Sequence, residues 1–160
     1  MDNTQKLAFK STLKQFGLHL IAGRIAAARQ AADQAQQAAN QEEKSSAGDK
    51  YETGRAMGHL QKEMHTRQQA EHEREHAALL RIPTDTLCTH PLPGAFIQCT
   101  DIALERTGIF IAAGLGKQSV EGQTILFLSP AAPLAKTLHD KKMGDEFTFN
   151  GRTLRIEDLF

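Results

Sequence analysis

Apolar side chains recur along the first half of the chain at alternating spacings of three and four: Leu18, Ile21, Ile25, Ala28, Ala32, Ala35 and Ala39. That period is the seam of a coiled coil. Met57, Leu60 and Met64 repeat it further on and predict a second helix with these three residues in its seam. Between the two runs lies Glu42-Glu-Lys-Ser-Ser-Ala-Gly-Asp-Lys50, dense in turn and capping residues. Two helices joined by so short a loop pack antiparallel. The seam shrinks from Leu and Ile to Ala as it nears the loop, and Gly54 and Gly58 thin the returning helix. Small seam residues let helix axes approach closely, so a slender far end is expected. Arms of roughly 30 residues would reach about 45 Å at 1.5 Å per residue.

The pattern changes after Ile82. Short runs rich in β-branched and aromatic residues follow: Phe96-Ile-Gln-Cys99, Ile109-Phe-Ile-Ala112 and Thr124-Ile-Leu-Phe-Leu128. Phe147-Thr-Phe149 and Leu154-Arg-Ile156 flank Asn150-Gly151, a pair that favours a type I′ hairpin. Pro133 to Lys141 predicts a short helix between strands. All five prolines lie in this half, and the first half has none. The expected organisation is a helical hairpin over 1–82 with its tip near 44–52, a linker over 83–94, and a β-rich domain over 95–160. The fold class is therefore α+β.

Composition narrows the function classes. The chain has 160 residues and zero formal net charge, which argues against a general nucleic-acid coat or a polybasic membrane binder. The apolar stretch from Phe16 to Ala28 is cut by His19 and Arg24, so it suits neither a signal peptide nor a span of about 20 apolar residues. No membrane association is expected. The two cysteines, Cys88 and Cys99, define no disulfide framework, and a reduced cytoplasmic setting is the simplest expectation.

Three constellations bear on chemistry. His72-Glu-Arg-Glu-His76 meets the HExxH pattern of zinc proteases literally. Its charged and small neighbours read instead as a solvated helix face, and no third ligand is apparent downstream. Asp49 and Glu52, at the tip, fit a capping box with Asp49 as N-cap and Glu52 three residues on. They also fit a pair of carboxylates sharing a divalent ion, since Mg²⁺ accepts one or two protein carboxylates beside other oxygen ligands. Lys44, Lys50, Arg55, Lys62 and Arg67 are interleaved with glutamates as on a solvated surface, though some of these charges suit a phosphate backbone.

Two segments resemble the Gre family of bacterial transcript-cleavage elongation factors. Pro133-Leu-Ala-Lys-Thr-Leu-His-Asp-Lys-Lys-Met-Gly-Asp-Glu-Phe147 is similar to the proline-leucine and lysine-lysine-apolar-Gly-Asp-Glu run of that family's C-terminal domain. Asn150-Gly-Arg-Thr-Leu-Arg-Ile156 looks like its closing hairpin. Gly48-Asp-Lys-Tyr-Glu52 matches the Gly-Asp-x-x-Glu of the coiled-coil tip. Order and lengths of the two parts agree, so the resemblance spans nearly the whole chain.

The resemblance implies a factor that is not an enzyme alone. Its hairpin would enter the secondary channel of RNA polymerase, and its FKBP-like C-terminal domain would dock at the channel rim. Asp49 would be a ligand of a Mg²⁺ ion supplied in the polymerase active site, and Glu52 would orient the attacking water near the nascent RNA 3′ end. Lys50, Tyr51, Arg55 and Lys62 would contact polymerase or nucleic acid. A monomer is expected. After the tip glutamate, where the family continues Asn-Ala-Glu-Tyr, this chain has Thr53, Gly54, Arg55 and Ala56. A factor that binds the channel without cleaving therefore stays open as a second reading. A peptidyl-prolyl isomerase and a dimerising coiled-coil adaptor are further alternatives.

Overall fold

The computed structural model describes the backbone of residues 1–44 and 48–160 and the side chains of 1–41 and 52–160. Its elements run α1 (Asn3–Lys44), α2 (Gly48–Arg81), β1 (Phe96–Asp101), β2 (Arg106–Ile111), β3 (Gly116–Val120), β4 (Gln123–Leu128), α3 (Pro133–Leu138), β5 (Glu146–Phe149) and β6 (Arg152–Leu159). A long helical pair thus precedes a six-stranded mixed sheet, an α+β fold. None of the described helices is long and apolar enough to cross a membrane. The chain divides into two compact units, one formed by Met1–Leu18 with Ala78–Phe160 and the other by His19–Ala77.

In the first unit the sheet order is β3-β4-β2-β1-β6-β5. Only β2 and β4 pair in parallel, and β1–β6 carries a register shift at Gln98/Cys99. Strand alternation sends side chains to opposite faces. One face gathers Ile97, Cys99, Ile109, Ile111, Phe147, Leu154 and Ile156 under Ala135 and Leu138 of α3. The other face presents Phe96, Phe110, Phe127 and Phe160, all nearly fully buried. Phe9 meets Phe96 edge-on with ring centroids 5.1 Å apart, and Phe16 lies 5.8 Å from Phe127. Gly17 is also at close quarters, since a Cβ there would stand 2.9 Å from Leu79 Cδ2. The beginning of α1 is thus part of the β-rich unit's core, a role that the composition break at Ile82 did not announce.

Local devices fix the ends of the helices. Asp2 and Gln5 cap α1 reciprocally, Asp2 N–H donating to Gln5 Oε1 at 2.9 Å and Gln5 N–H to Asp2 Oδ1 at 2.8 Å. Carbonyls at a helix C-terminus lack intrahelical partners. Lys14 supplies them at the end of α2, its Nζ donating to Leu80 O at 2.8 Å and Ile82 O at 2.7 Å. Past α2, Gly94 has φ +93°, and a Cβ there would collide with Pro83 O, so only glycine fits. Asn150 and Gly151 both have positive φ, as the type I′ turn requires.

β3 was not expected from the sequence. Gly-Lys-Gln-Ser-Val has no apolar alternation because it is an edge strand with only Val120 buried. Its turn to β4 is built from Glu121 (φ 50°) and Gly122 (φ 76°).

A charge cluster closes one end of the sheet. Arg152 pairs with Asp101 and lies 2.7 Å from Glu105 Oε2, while Glu105 N–H donates to Asp101 Oδ1 at 2.9 Å. The hydrogen bond from Arg152 is the main cause holding the Asp101 carboxyl below its usual range. A carboxyl so depressed stabilises the fold above the unfolded-state value of about 3.9 and loses that contribution as pH falls through the folded value. The thermal midpoint of the wild-type chain is therefore expected to fall on acidification below about pH 4. Arg152→Gln should flatten that fall; an unchanged pH profile would remove the cluster from the account.

In the second unit Ile21, Ala28, Ala32, Ala35 and Ala39 of α1 are buried, as the seam period requires, and Ile25 is half-buried. On α2 the seam differs from expectation. Met57, Leu60 and Met64 are 52%, 60% and 49% exposed and face away from α1. The covered positions among the described residues are Gly54, Gly58, His65, Gln69, Ala70, His72 and His76. The physical reason is the close approach of the helices: a Cβ on Gly58 would stand 2.8 Å from Ala39 Cβ, which leaves no room there for a large side chain. Leu60→Gln is accordingly expected to change stability by no more than about 0.5 kcal/mol, measured by denaturant melts. A loss of about 2 kcal/mol or more would return Leu60 to the seam.

Candidate functional site

The loop end of the hairpin concentrates the residues with candidate chemistry. α2 begins at Gly48, so Asp49 and Glu52 stand in its opening turns, three residues apart. Positions so spaced neighbour each other on a helix surface. The helix start also places Asp49 inside α2, where a negative charge is favoured by the helix dipole. The side chains of Asp49, Lys50 and Tyr51 lie outside the described residues. Glu52 and Arg55 are exposed. Lys62 is exposed too, but its Nζ donates to Gln36 Oε1 at 2.7 Å, tying α2 to α1. Gln36 in turn donates to Asn40 Oδ1 at 2.9 Å, so a short polar chain braces the distal hairpin.

Glu52 stands well apart from other described acids on its helix. The next on α2 is Glu63, about 16 Å along at 1.5 Å per residue and engaged by Arg67 at 3.2 Å. A carboxylate placed this way offers one or two hard oxygen donors. Mg²⁺ takes near-octahedral coordination, so an ion meeting this carboxylate would need its remaining ligands from elsewhere. The hairpin behind it is thin, because alanines and Gly58 fill its distal seam. From His19 to Lys44 the α1 arm runs about 39 Å at 1.5 Å per residue.

The HExxH residues are not a plain solvated face. His72 and His76 are half-buried on the inward stripe of α2. His72 Nδ1 is shielded from water and makes no hydrogen bond, with Glu75 Oε2 3.5 Å away. Their spacing from Gly58 and His65 follows the seam, a period carried here by small and polar side chains instead of apolar ones. Among the described residues no three His, Cys, Asp or Glu side chains come together as a metal site.

The sheet unit carries a groove of about 990 Å³ lined by Phe9, Phe96, Gln98, Arg106, Glu157 and Phe160, among others. Phe96 and Phe160 are buried against each other at 5.1 Å. Their rings are committed to the core rather than open to a ligand. The remaining walls mix apolar Met1 and Leu104 with polar groups, among them Thr100, whose Oγ1 donates to Glu157 Oε1 at 2.9 Å. Cys99 lies fully buried on the opposite face, and burial, with the Glu157 charge adding, pushes its thiol up to about 12.

No family model matches the chain, and no catalogued protein matches it by sequence. Among solved structures, the chain is similar to the GreA factor homolog 1 (Gfh1) protein of Thermus thermophilus at 15% identity and a TM-score of 0.36, covering 89% of this chain and 94% of that one. A second structure, of the transcription factor Gfh1, matches at 17% identity and a TM-score of 0.34, over 89% and 92% of the two chains.

Proposed function

We propose that this chain is a secondary-channel factor of bacterial RNA polymerase that promotes cleavage of backtracked RNA. The observation that carries this reading is a hairpin whose seam thins to alanine and glycine and whose loop end presents Glu52 to solvent, one turn from Asp49. The resemblance of Gly48-Asp-Lys-Tyr-Glu52 and of residues 133–156 to the Gre family supports it. Asp49 would complete the shell of a second Mg²⁺ held chiefly by polymerase. Glu52 would orient the water that attacks the scissile phosphate. Two-metal hydrolysis needs only such added oxygen ligands, because the ions stabilise both the attacking and leaving oxygens. A chain with too few donors to hold the ion acts on the enzyme's own chemistry and is not a nuclease by itself.

The residues after the tip support a second reading with the same partner. Thr53, Gly54, Arg55 and Ala56 replace the family's Asn-Ala-Glu-Tyr, and a factor so altered would occupy the channel and regulate polymerase without cleaving. Binding of the labelled full chain to polymerase, with and without a channel-blocking competitor, tests what the two readings share. Competed binding is expected. Absence of binding would overturn both.

A further inference from the structure

Lys10 is the one fully buried charged side chain among the described residues. It lies on α1 within the β-rich unit, and it has no part in the proposed tip chemistry. Its Nζ donates to Thr86 O at 2.7 Å and reaches Cys88 Sγ at 3.6 Å. Cys88 is half-buried, whereas Cys99 is sealed inside the sheet. A primary amine held against a thiol is a reactive pair once the sulfur is oxidised, since an oxidised sulfur is electrophilic and nitrogen attacks it.

We propose that Lys10 and Cys88 form a modification site: a reversible nitrogen–sulfur cross-link made under peroxide. Hydrogen peroxide first oxidises the Cys88 thiol to a sulfenic acid and is reduced to water. The free-base form of the Lys10 amine then attacks that sulfur. The S–O bond breaks, an S–N bond forms, and the hydroxyl leaves as water with one amine proton. One peroxide is consumed, two waters are released and the protein loses two hydrogens. Two equivalents of a small thiol reverse the step, restoring thiol and amine while they become a disulfide. The link ties the beginning of α1 to the segment after α2, 78 residues apart, with the whole hairpin in the closed loop. Closing a loop that long restricts the unfolded chain and should raise the thermal midpoint by roughly 5–10 °C.

The test is peptide mapping of the full chain after mild hydrogen peroxide treatment, with intact mass measured before and after dithiothreitol. The expected result is a mass lower by two hydrogens, a linked peptide containing Lys10 and Cys88, and release of that link by dithiothreitol. Cys88→Ser should abolish it while leaving the midpoint of the untreated protein nearly unchanged. Lys10→Gln should divert Cys88 to sulfinic acid. Should that variant not fold, the wild-type map decides alone. Sulfinic acid, an intermolecular disulfide or unmodified Cys88 in the wild-type chain, with Lys10 recovered unlinked, would overturn the proposal.

Discussion

Glu52→Ala is expected to reduce RNA shortening in stalled elongation complexes by roughly tenfold to a hundredfold, with binding to polymerase changed less than about twofold. The asymmetry follows from where the residue sits. Glu52 is exposed and distant from other described acids on its helix, so among the described residues its removal uncovers no buried partner. Its expected work lies only at the reacting centre, where a positioned carboxylate matters in the transition state more than in the bound complex. Asp49→Ala should act in the same direction. Glu63→Ala is the control: that carboxylate pairs with Arg67 along the rod, and its loss should leave cleavage intact. Equal loss of binding and cleavage in Glu52→Ala would mean that the tip serves as an anchor and not as a catalytic end.

Gly58→Leu is expected to destabilise the hairpin by about 1–3 kcal/mol and to weaken polymerase binding. Even a Cβ at this position meets Ala39 Cβ at 2.8 Å and approaches Ala35 O at 3.6 Å. Neither neighbour is a flexible side-chain end, so the helices themselves must part. The cost then spreads along the Ala28–Ala39 stripe, whose burial depends on close approach. Widening also acts on function if the rod must enter a narrow channel. Gly23 is the matched control, a helical glycine with nothing within 4 Å of an added Cβ. Gly23→Ala should stabilise by about 0.5–1 kcal/mol through helix propensity alone. Denaturant melts of both variants by circular dichroism measure the contrast. A Gly58→Leu protein as stable as the wild type would mean that the hairpin seam does not pass through residue 58.

The hairpin was legible in the sequence because α1 carries an unbroken three-four period and because Glu42 to Lys50 concentrates loop residues. α2 was read from the wrong stripe. Met57, Leu60 and Met64 are its most apolar residues, yet they stand outside, since a seam already filled by close backbone approach selects Gly and half-buried His. Strands β1, β2, β4, β5 and β6 are legible in their β-branched and aromatic runs. β3 is not, because an edge strand needs little apolar surface. The packing of Phe9 and Phe16 against the sheet is long-range and has no local signature. Lys10 shows the same limit. It precedes Leu13 and Gly17 on the buried stripe at spacings of three and four, but a charge at such a position reads as surface until its partners in the later segment are known. At the tip the sequence supplied the carboxylates and two uses for them, caps or ligands. Glu52 is open to solvent, and the side chain of Asp49 lies outside the described residues.

The most direct measurement is RNA length at single-nucleotide resolution in purified, backtracked elongation complexes supplied with Mg²⁺ and the wild-type chain. Expected is 3′-end shortening that depends on the added protein, is competed by a channel-blocking ligand and disappears with Asp49→Ala. Shortening that persists undiminished in Asp49→Ala would contradict the tip assignment, and a wild-type chain that leaves the RNA unshortened while binding polymerase would contradict cleavage itself.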